Sequence, residues 1–250
     1  MKIKTLLMLA VLAAGVQFSS AQSVDDIINK HFEAMGGKDK IGNIKTLKMI
    51  CSVEIAQGMK APITMYFVNN QSMRVEVEVQ GMQILSAVDG DSGWSVNPMS
   101  GKKDAERMNA DEIKESKDQM DLTGALFNYK AKGHAVELLG KEDMEGTEVY
   151  KLKIIKKSGD IQYDFIDAET YLLLKETTTH KFKDKETSGD VIFSDYKKVE
   201  GIMFAHSMEN RESGASQGQA LKVESIEINP AIDKNMFKMP APQPAAPEVK

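Results

Sequence analysis

From Met73 to Gln80 apolar and polar residues alternate without a fault. Met73, Val75, Val77 and Val79 fall on one side, Arg74, Glu76, Glu78 and Gln80 on the other. A period of two belongs to an extended strand with one face buried and one wetted, so the segment predicts a half-buried antiparallel strand. Strand candidates near 46–56, 61–69, 82–88 and 93–97 surround it, with Asn69-Asn70 and Asp89-Gly90 as turn signals. After Gly133 the strand rhythm resumes near 134–143, 147–157, 161–167, 171–183, 189–198, 202–212 and 218–229. Glu145-Gly146, Ser158-Gly159-Asp160, Asp167-Ala168-Glu169, Glu200-Gly201 and residues 214–218 supply the turns.

Helical spacing interrupts this pattern twice. Ser23 caps a segment whose Val24, Ile27, Ile28, His31, Phe32 and Met35 recur at helical intervals, and Gly36-Gly37 ends it. Asn109 and Glu112 make a second capping-box start, and Ile113, Met120 and Phe127 repeat every seven residues to about Tyr129. Many short strands at regular spacing with only two helices predict a mainly β chain with a few helices. A single large, strongly curved antiparallel sheet or incomplete barrel fits that rhythm. No parallel βαβ alternation and no internal repeat is visible.

The ends change the picture. Residues 1–21 read as a signal peptide: Lys2 and Lys4 form a basic start, Leu6 to Val16 an apolar run too short to span a bilayer, and Ser19-Ser20-Ala21 a small-residue cleavage site. No Cys follows the run, so the mature chain is expected from Gln22, periplasmic and not a lipoprotein, with no transmembrane segment after signal removal. Residues 22–239 form the expected domain. In 240–250, Pro240, Pro242, Pro244 and Pro247 crowd a flexible Pro/Ala-rich tail.

Composition narrows the function classes. The formal net charge of -5 and the even mixing of signs exclude a basic nucleic-acid binder. The 16 Met outnumber the 9 Phe, 6 Tyr and 1 Trp, which predicts an adaptable interior. Cys51 has no partner within the chain and reads as a small buried residue on a strand.

Candidate chemistry is thin. Gly214-Ala215-Ser216-Gln217-Gly218 matches the serine-hydrolase elbow pattern, but it joins two antiparallel strands instead of a strand and a helix, and reads as a hairpin loop. His31, His134, His180 and His206 are scattered, and nothing pairs any of them with Ser216. Asp89-Gly90-Asp91-Ser92-Gly93 lacks the remaining ligand positions of a calcium loop. The chain is therefore expected not to be an enzyme, and no cofactor or metal is implied.

The specific signals are short motifs in a fixed order. Val88-Asp89-Gly90-Asp91-Ser92-Gly93-Trp94-Ser95-Val96-Asn97-Pro98 places a Trp strand between a D-G turn and an N-P stop. Asn235-Met236-Phe237-Lys238-Met239-Pro240 gives an F-x-x-P ending. With Phe32-Glu33-Ala34-Met35-Gly36-Gly37, Gly133 to Glu142, Ile166 to Leu172, and Phe193-Ser194-Asp195-Tyr196-Lys197 before Gly201-Ile202, this order resembles the LolA/LolB-like family of lipoprotein-sorting proteins.

The resemblance implies a half-barrel of antiparallel strands with helices covering the concave face. It also implies non-covalent holding of acyl chains by a non-enzymatic, cofactor-free protein. Met65, Phe67, Met73, Val75, Val77, Val79, Leu85, Trp94 and Val96 are the candidate apolar lining; Met120, Leu126 and Phe127 are the candidate lid. The expected partners of this monomer are a lipid or acylated lipoprotein, with an envelope protein partner as the alternative role. An esterase is the third reading. Relatives often hold the lid with an Arg beside the turn after the second strand; here that segment is Val68-Asn69-Asn70-Gln71, and Arg74 lies just beyond. An open cavity and a filled core are equally compatible with these residues.

Overall fold

The computed structural model describes residues 23–241 except 57, 102–103, 183–184, 214 and 216. The expected signal peptide, nearly all of the Pro-rich tail and Ser216 lie outside the described residues.

Helix α1 (Val24–Ala34) begins with the expected capping box, in which the Ser23 hydroxyl accepts from Asp26 N–H and the Asp26 carboxylate from Ser23 N–H. Its Ile27, Ile28, His31 and Phe32 are buried on one face. A short α2 (Lys38–Gly42) follows. The strands β1 (Thr46–Ala56), β2 (Met59–Val68), β3 (Ser72–Val79), β4 (Met82–Asp89) and β5 (Ser92–Val96) form an antiparallel meander. A 3-10 turn (Pro98–Ser100) and the two-residue β6 (Glu106–Arg107) end it. Helix α3 (Ala110–Gln119) leads to a second meander. It comprises β7 (Ala135–Met144), β8 (Thr147–Ile155), β9 (Ile161–Asp167), β10 (Leu173–Phe182), β11 (Lys185–Val199), β12 (Ile202–Glu212) and β13 (Gln219–Ile228). A last 3-10 turn covers Lys234–Phe237.

The 13 strands make one antiparallel sheet, ordered β6-β5-β4-β3-β2-β1-β13-β12-β11-β10-β9-β8-β7. Each strand pairs with its sequence neighbour except at the centre, where β1 pairs with β13, Leu47 opposite Ile228 and Met49 opposite Ile226. The chain thus runs outward to one edge at β6 and must reach the opposite edge before β7. Residues 108–134 make that passage, and with α1 they cover the concave face of the curved sheet.

The second helix differs from its expected span. The seven-residue spacing predicts helix to about Tyr129, yet α3 stops at Gln119. Asp121 Oδ1 accepts from Thr123 N–H, Gly124 takes φ +75° and Asn128 φ +48°, and neither conformation continues a right-handed helix. The rest of the passage is a series of turns that lays apolar side chains on the sheet.

Helix α1 is seated by a backbone approach. Gly36 has φ +114°, and a Cβ there would stand 2.3 Å from the carbonyl oxygen of Gly201 in the β11–β12 turn. Next to it, Met203 N–H donates to Met35 O at 2.9 Å.

Candidate functional site

Cross-strand partners share a face of the sheet, so the pairing register settles which candidate residues meet. Phe67 pairs with Met73, Met65 with Val75 and Ile63 with Val77. Val77 pairs in turn with Ile84, and Val79 with Met82. Met65, Phe67, Met73, Val75, Val77 and Val79 therefore form one continuous apolar surface on the concave face. Leu47 and Met49 of β1 extend it, and all of these residues pack in the central core.

The other three candidates lie on the opposite surface, so the nine do not form one lining. Leu85 pairs with Glu76 and Val96, and Trp94 with Ala87, which itself pairs with Arg74. A side chain one residue out of phase along a strand points through the other face. On this convex side the C-terminal segment covers Trp94, whose Nε1–H donates to Phe237 O at 2.8 Å. Arg74 lies over the indole ring, 5.4 Å from its centroid, and donates through Nη1 to Met236 O at 2.6 Å. The Trp strand and the F-x-x-P ending, far apart in sequence, are one clamp. Arg74 belongs to that clamp and not to a lid latch.

The candidate lid residues come together with the concave wall. Met120 and Leu126 are buried, and Phe127 meets Phe32 of α1 edge-on, with ring centroids 5.6 Å apart at 83°. Of the two alternatives left open by the sequence, the described residues show the concave face occupied by α1 and by these strap side chains. An open cavity of about 310 Å³ remains at the seam where the strap meets the β2–β3 and β4–β5 turns. It is lined by Asn70, Gln71, Gly90, Asp91, Lys117 and Met120.

Polar ties add to these apolar contacts of the strap. Asn70 N–H donates to Met120 O at 2.8 Å, and Leu122 N–H donates to Asn69 Oδ1 at 3.1 Å. Asn69 Nδ2 in turn donates to Ile44 O at 3.2 Å, which fixes the asparagine that receives the strap. The Asn69-Asn70 turn occupies the place of the Arg that the resemblance implies. Helix α3 adds exposed ion pairs at both sides: Lys117 with Asp91 of the β4–β5 turn, and Asp118 with Lys156 beyond β8 at 2.8 Å. The Lys117 ammonium holds the Asp91 carboxyl below its ordinary range. Past α3, Lys132 reaches Asp121, Thr123 and Gly124 O, and Asp25 of α1 receives Tyr129 and Lys130, both at 2.9 Å. The hydrogen bonds from Lys130 and Tyr129 lower the Asp25 carboxyl.

The far wall of the concave face carries a polar island. Asp164 of β9 pairs with Glu176 of β10, and Gln162 with Thr178. Gln162 and Asp164 are each only 3% exposed, and Gln162 Nε2 donates to Asp164 Oδ1 at 2.7 Å. Burial foremost, then the neighbouring Glu176, pushes the Asp164 carboxyl up to about 8, so it holds its proton at neutral pH. Across the strand, Leu152 faces Asp164 and Ile154 faces Gln162, so the island is bordered by aliphatic wall.

Sequence reading missed the asparagine latch and this island. The latch was legible only as a turn signal. In Ile161-Gln162-Tyr163-Asp164-Phe165 the alternation favours the aromatics inside, whereas the structure sets Gln162 and Asp164 inward and Phe165 outward beneath Lys175, 4.1 Å from its ring centroid. Cys51 is buried as expected, and burial pushes its thiol up to about 11. Gly90 and Asp91 form the β4–β5 turn, and Asp89 at the end of β4 accepts through Oδ1 from the Ser72 hydroxyl at 2.7 Å. Among the described residues no three metal-ligating side chains converge, and no helix is long and apolar enough to cross a membrane.

Comparison with known proteins places this geometry. Over residues 73–241 the chain matches the model of a family described only as uncharacterized-protein-like. No functionally curated protein matches its sequence. A DUF1329 family protein of Desulfovibrio piger superposes with a TM-score of 0.57 at 13% identity, covering 87% of this chain and 98% of that one. A LolA superfamily protein of Nitrosomonas europaea gives 0.54 at 10% identity, covering 87% and 99%. An outer membrane lipoprotein-sorting protein domain of Vibrio parahaemolyticus gives 0.51 at 15% identity, covering 85% and 94%.

Proposed function

We propose, for a chain that belongs to this uncharacterized family and has the LolA-like fold, that the concave face binds the acyl chains of a lipid or acylated lipoprotein. The observation that carries this reading is the strap: residues 108–134 lie outside the sheet, lay Met120, Leu126 and Phe127 on an apolar wall, and are tied to the neighbouring turns by polar contacts. Lifting the strap exposes the Met and Val surface of β1–β4 without unfolding the sheet, whose strands remain paired at β1–β13. Acyl chains then replace the strap side chains on the same wall.

No covalent step is involved. Each methylene moved out of water contributes about 0.8 kcal/mol, so one or two chains outweigh the loss of the strap contacts. Methionine suits such a wall, because its unbranched thioether adapts to irregular partners. Transfer follows from differences in apolar burial between donor, carrier and acceptor. An exported, periplasmic setting, with residues 1–21 removed, goes with this reading.

The test is native mass spectrometry of the protein purified from its own membrane-containing host, paired with uptake of a fluorescent fatty acid. Bound lipid and saturable uptake are expected, with uptake weakened by Met65→Glu on the wall. Repeated recovery without lipid together with no uptake overturns the reading.

A further inference from the structure

Antiparallel alternation puts the β1–β2 turn, the β3–β4 turn and the 3-10 turn after β5 at the same end of five adjacent strands. Six large apolar side chains are exposed among the described residues, and three of them sit on this rim: Ile55 at 39%, Met59 at 42% and Met99 at 54%. Met82 opens β4 between them, half-buried, and the 3-10 turn bearing Met99 packs against β4. Residues 58–59, 80–83 and 97–101, which take in these turns and the first residues of β2 and β4, contain no charged side chain, in a chain that is 28% charged. The charges that flank the first tip, Glu54 and Lys60, stand opposite each other across the β1–β2 pair and are of opposite sign.

We infer that this rim is a membrane-docking edge that enters the interfacial layer of a lipid bilayer. Its layout favours a bilayer over a protein groove: Ile55, Met59 and Met82 stand at the ends of their strands and Met99 in the 3-10 turn, so the apolar side chains are spread along one edge of the sheet. A bilayer accepts such an edge at its headgroup–acyl boundary with no matching relief. Its charge favours a zwitterionic surface, because the charged residues beside these turns in the sequence, Glu54, Glu78 and Asp104 against Lys60, Lys102 and Lys103, sum to zero, and the whole chain carries -5. The inference uses none of the concave wall. The rim brings the protein to the lipid surface, whereas the wall holds the chains.

Flotation of the mature chain with vesicles tests it, using pure phosphatidylcholine and an equimolar mixture with phosphatidylglycerol. The wild type floats with phosphatidylcholine, equally at low and high salt, and less well with the anionic mixture at low salt. Met59→Glu and Met99→Glu each weaken flotation by about tenfold, the cost of withdrawing one apolar side chain from the bilayer, and together abolish it. Leu139→Glu, an equally exposed apolar site at 46% on the edge strand β7, leaves flotation unchanged. Circular dichroism shows the variants folded, and fluorescent fatty-acid uptake in solution stays at the wild-type level in the rim variants, which separates the rim from the concave wall. A wild type that does not float, or rim variants that float as the wild type does, overturns the inference.

Discussion

Two covers lie on the concave face, and they are built in opposite ways. Helix α1 has a broad apolar side, with Ile27, Ile28 and Phe32 buried and a glycine that lets its end touch the backbone of the β11–β12 turn. The strap helix α3, Ala110-Asp111-Glu112-Ile113-Lys114-Glu115-Ser116-Lys117-Asp118-Gln119, has Ile113 as its one large apolar residue and is tied through charged side chains to the turns around it. Exposed ion pairs contribute little and weaken with salt, while buried aliphatic contacts do not. The first cover is therefore held by its own apolar face, whereas α3 is held chiefly through charged side chains, and the strap grips the core only beyond it, at Met120, Leu126 and Tyr129.

The largest break in this contrast is expected from Gly36→Ala. The added methyl would overlap the Gly201 carbonyl at 2.3 Å from a backbone at φ +114°, and strain combined with a backbone clash costs on the order of 4 kcal/mol or more. Chemical denaturation should show that loss across the whole sheet, and an unchanged midpoint would mean that α1 is not seated by this approach. Leu126→Ala, under the strap, removes a buried side chain whose loss costs roughly 2–4 kcal/mol when the site stays rigid. Because the strap can yield, a value at the low end is expected, together with faster fatty-acid uptake; a full cavity cost with slower uptake would reverse the assignment of the movable cover.

Acidity sharpens the comparison further. The folded state keeps the Asp164 proton up to about 8, whereas an ordinary aspartate releases it near 3.8. The folded protein thus binds more protons than the unfolded chain between those values, and stability falls as pH rises through that window. Asp164→Asn should flatten this slope in melting curves taken at several pH values; an unchanged slope would exclude the island as its source. His31 acts with the opposite sign. Burial lowers its pKa, and its Nδ1–H donates to Tyr171 O at 2.8 Å. The unfolded chain therefore takes up a proton below about 6.5 that the folded state resists, so acid loosens α1. Amide protection along α1, taken relative to the intrinsic exchange rate at each pH, should fall from pH 7 to 5 more than protection in β1.

The smallest effect is expected at the surface tie. Lys117→Ala should leave the melting temperature unmoved yet raise amide exchange in α3, and added salt should do the same to the wild type. Equal protection of α3 in all three conditions would place the hold on the strap elsewhere.

Much of the fold was legible in the chain, because local chemistry specifies it. The alternation at Met73–Gln80 and the Asp89-Gly90 turn lead directly to β3 and the β4–β5 hairpin. The capping box at Ser23 and the glycines after Met35 bound α1 as expected. Six of the nine lining candidates share a surface because they alternate in phase across β2 and β3. Leu85, Trp94 and Val96 were misplaced because each strand offers two faces, and hydrophobicity does not say which is concave. Trp94 is buried as its character demands, but under the C-terminal turn.

Sequence alone therefore determined the strands, their turns and the meander of neighbours, since these depend on residues close together in the chain. Tertiary structure decided the pairing of β1 with β13, the passage of 108–134 over the concave face, and the inward turn of Gln162 and Asp164. It also decided which asparagine receives the strap. Each of these depends on how the whole open, curved sheet is assembled, which no local period encodes.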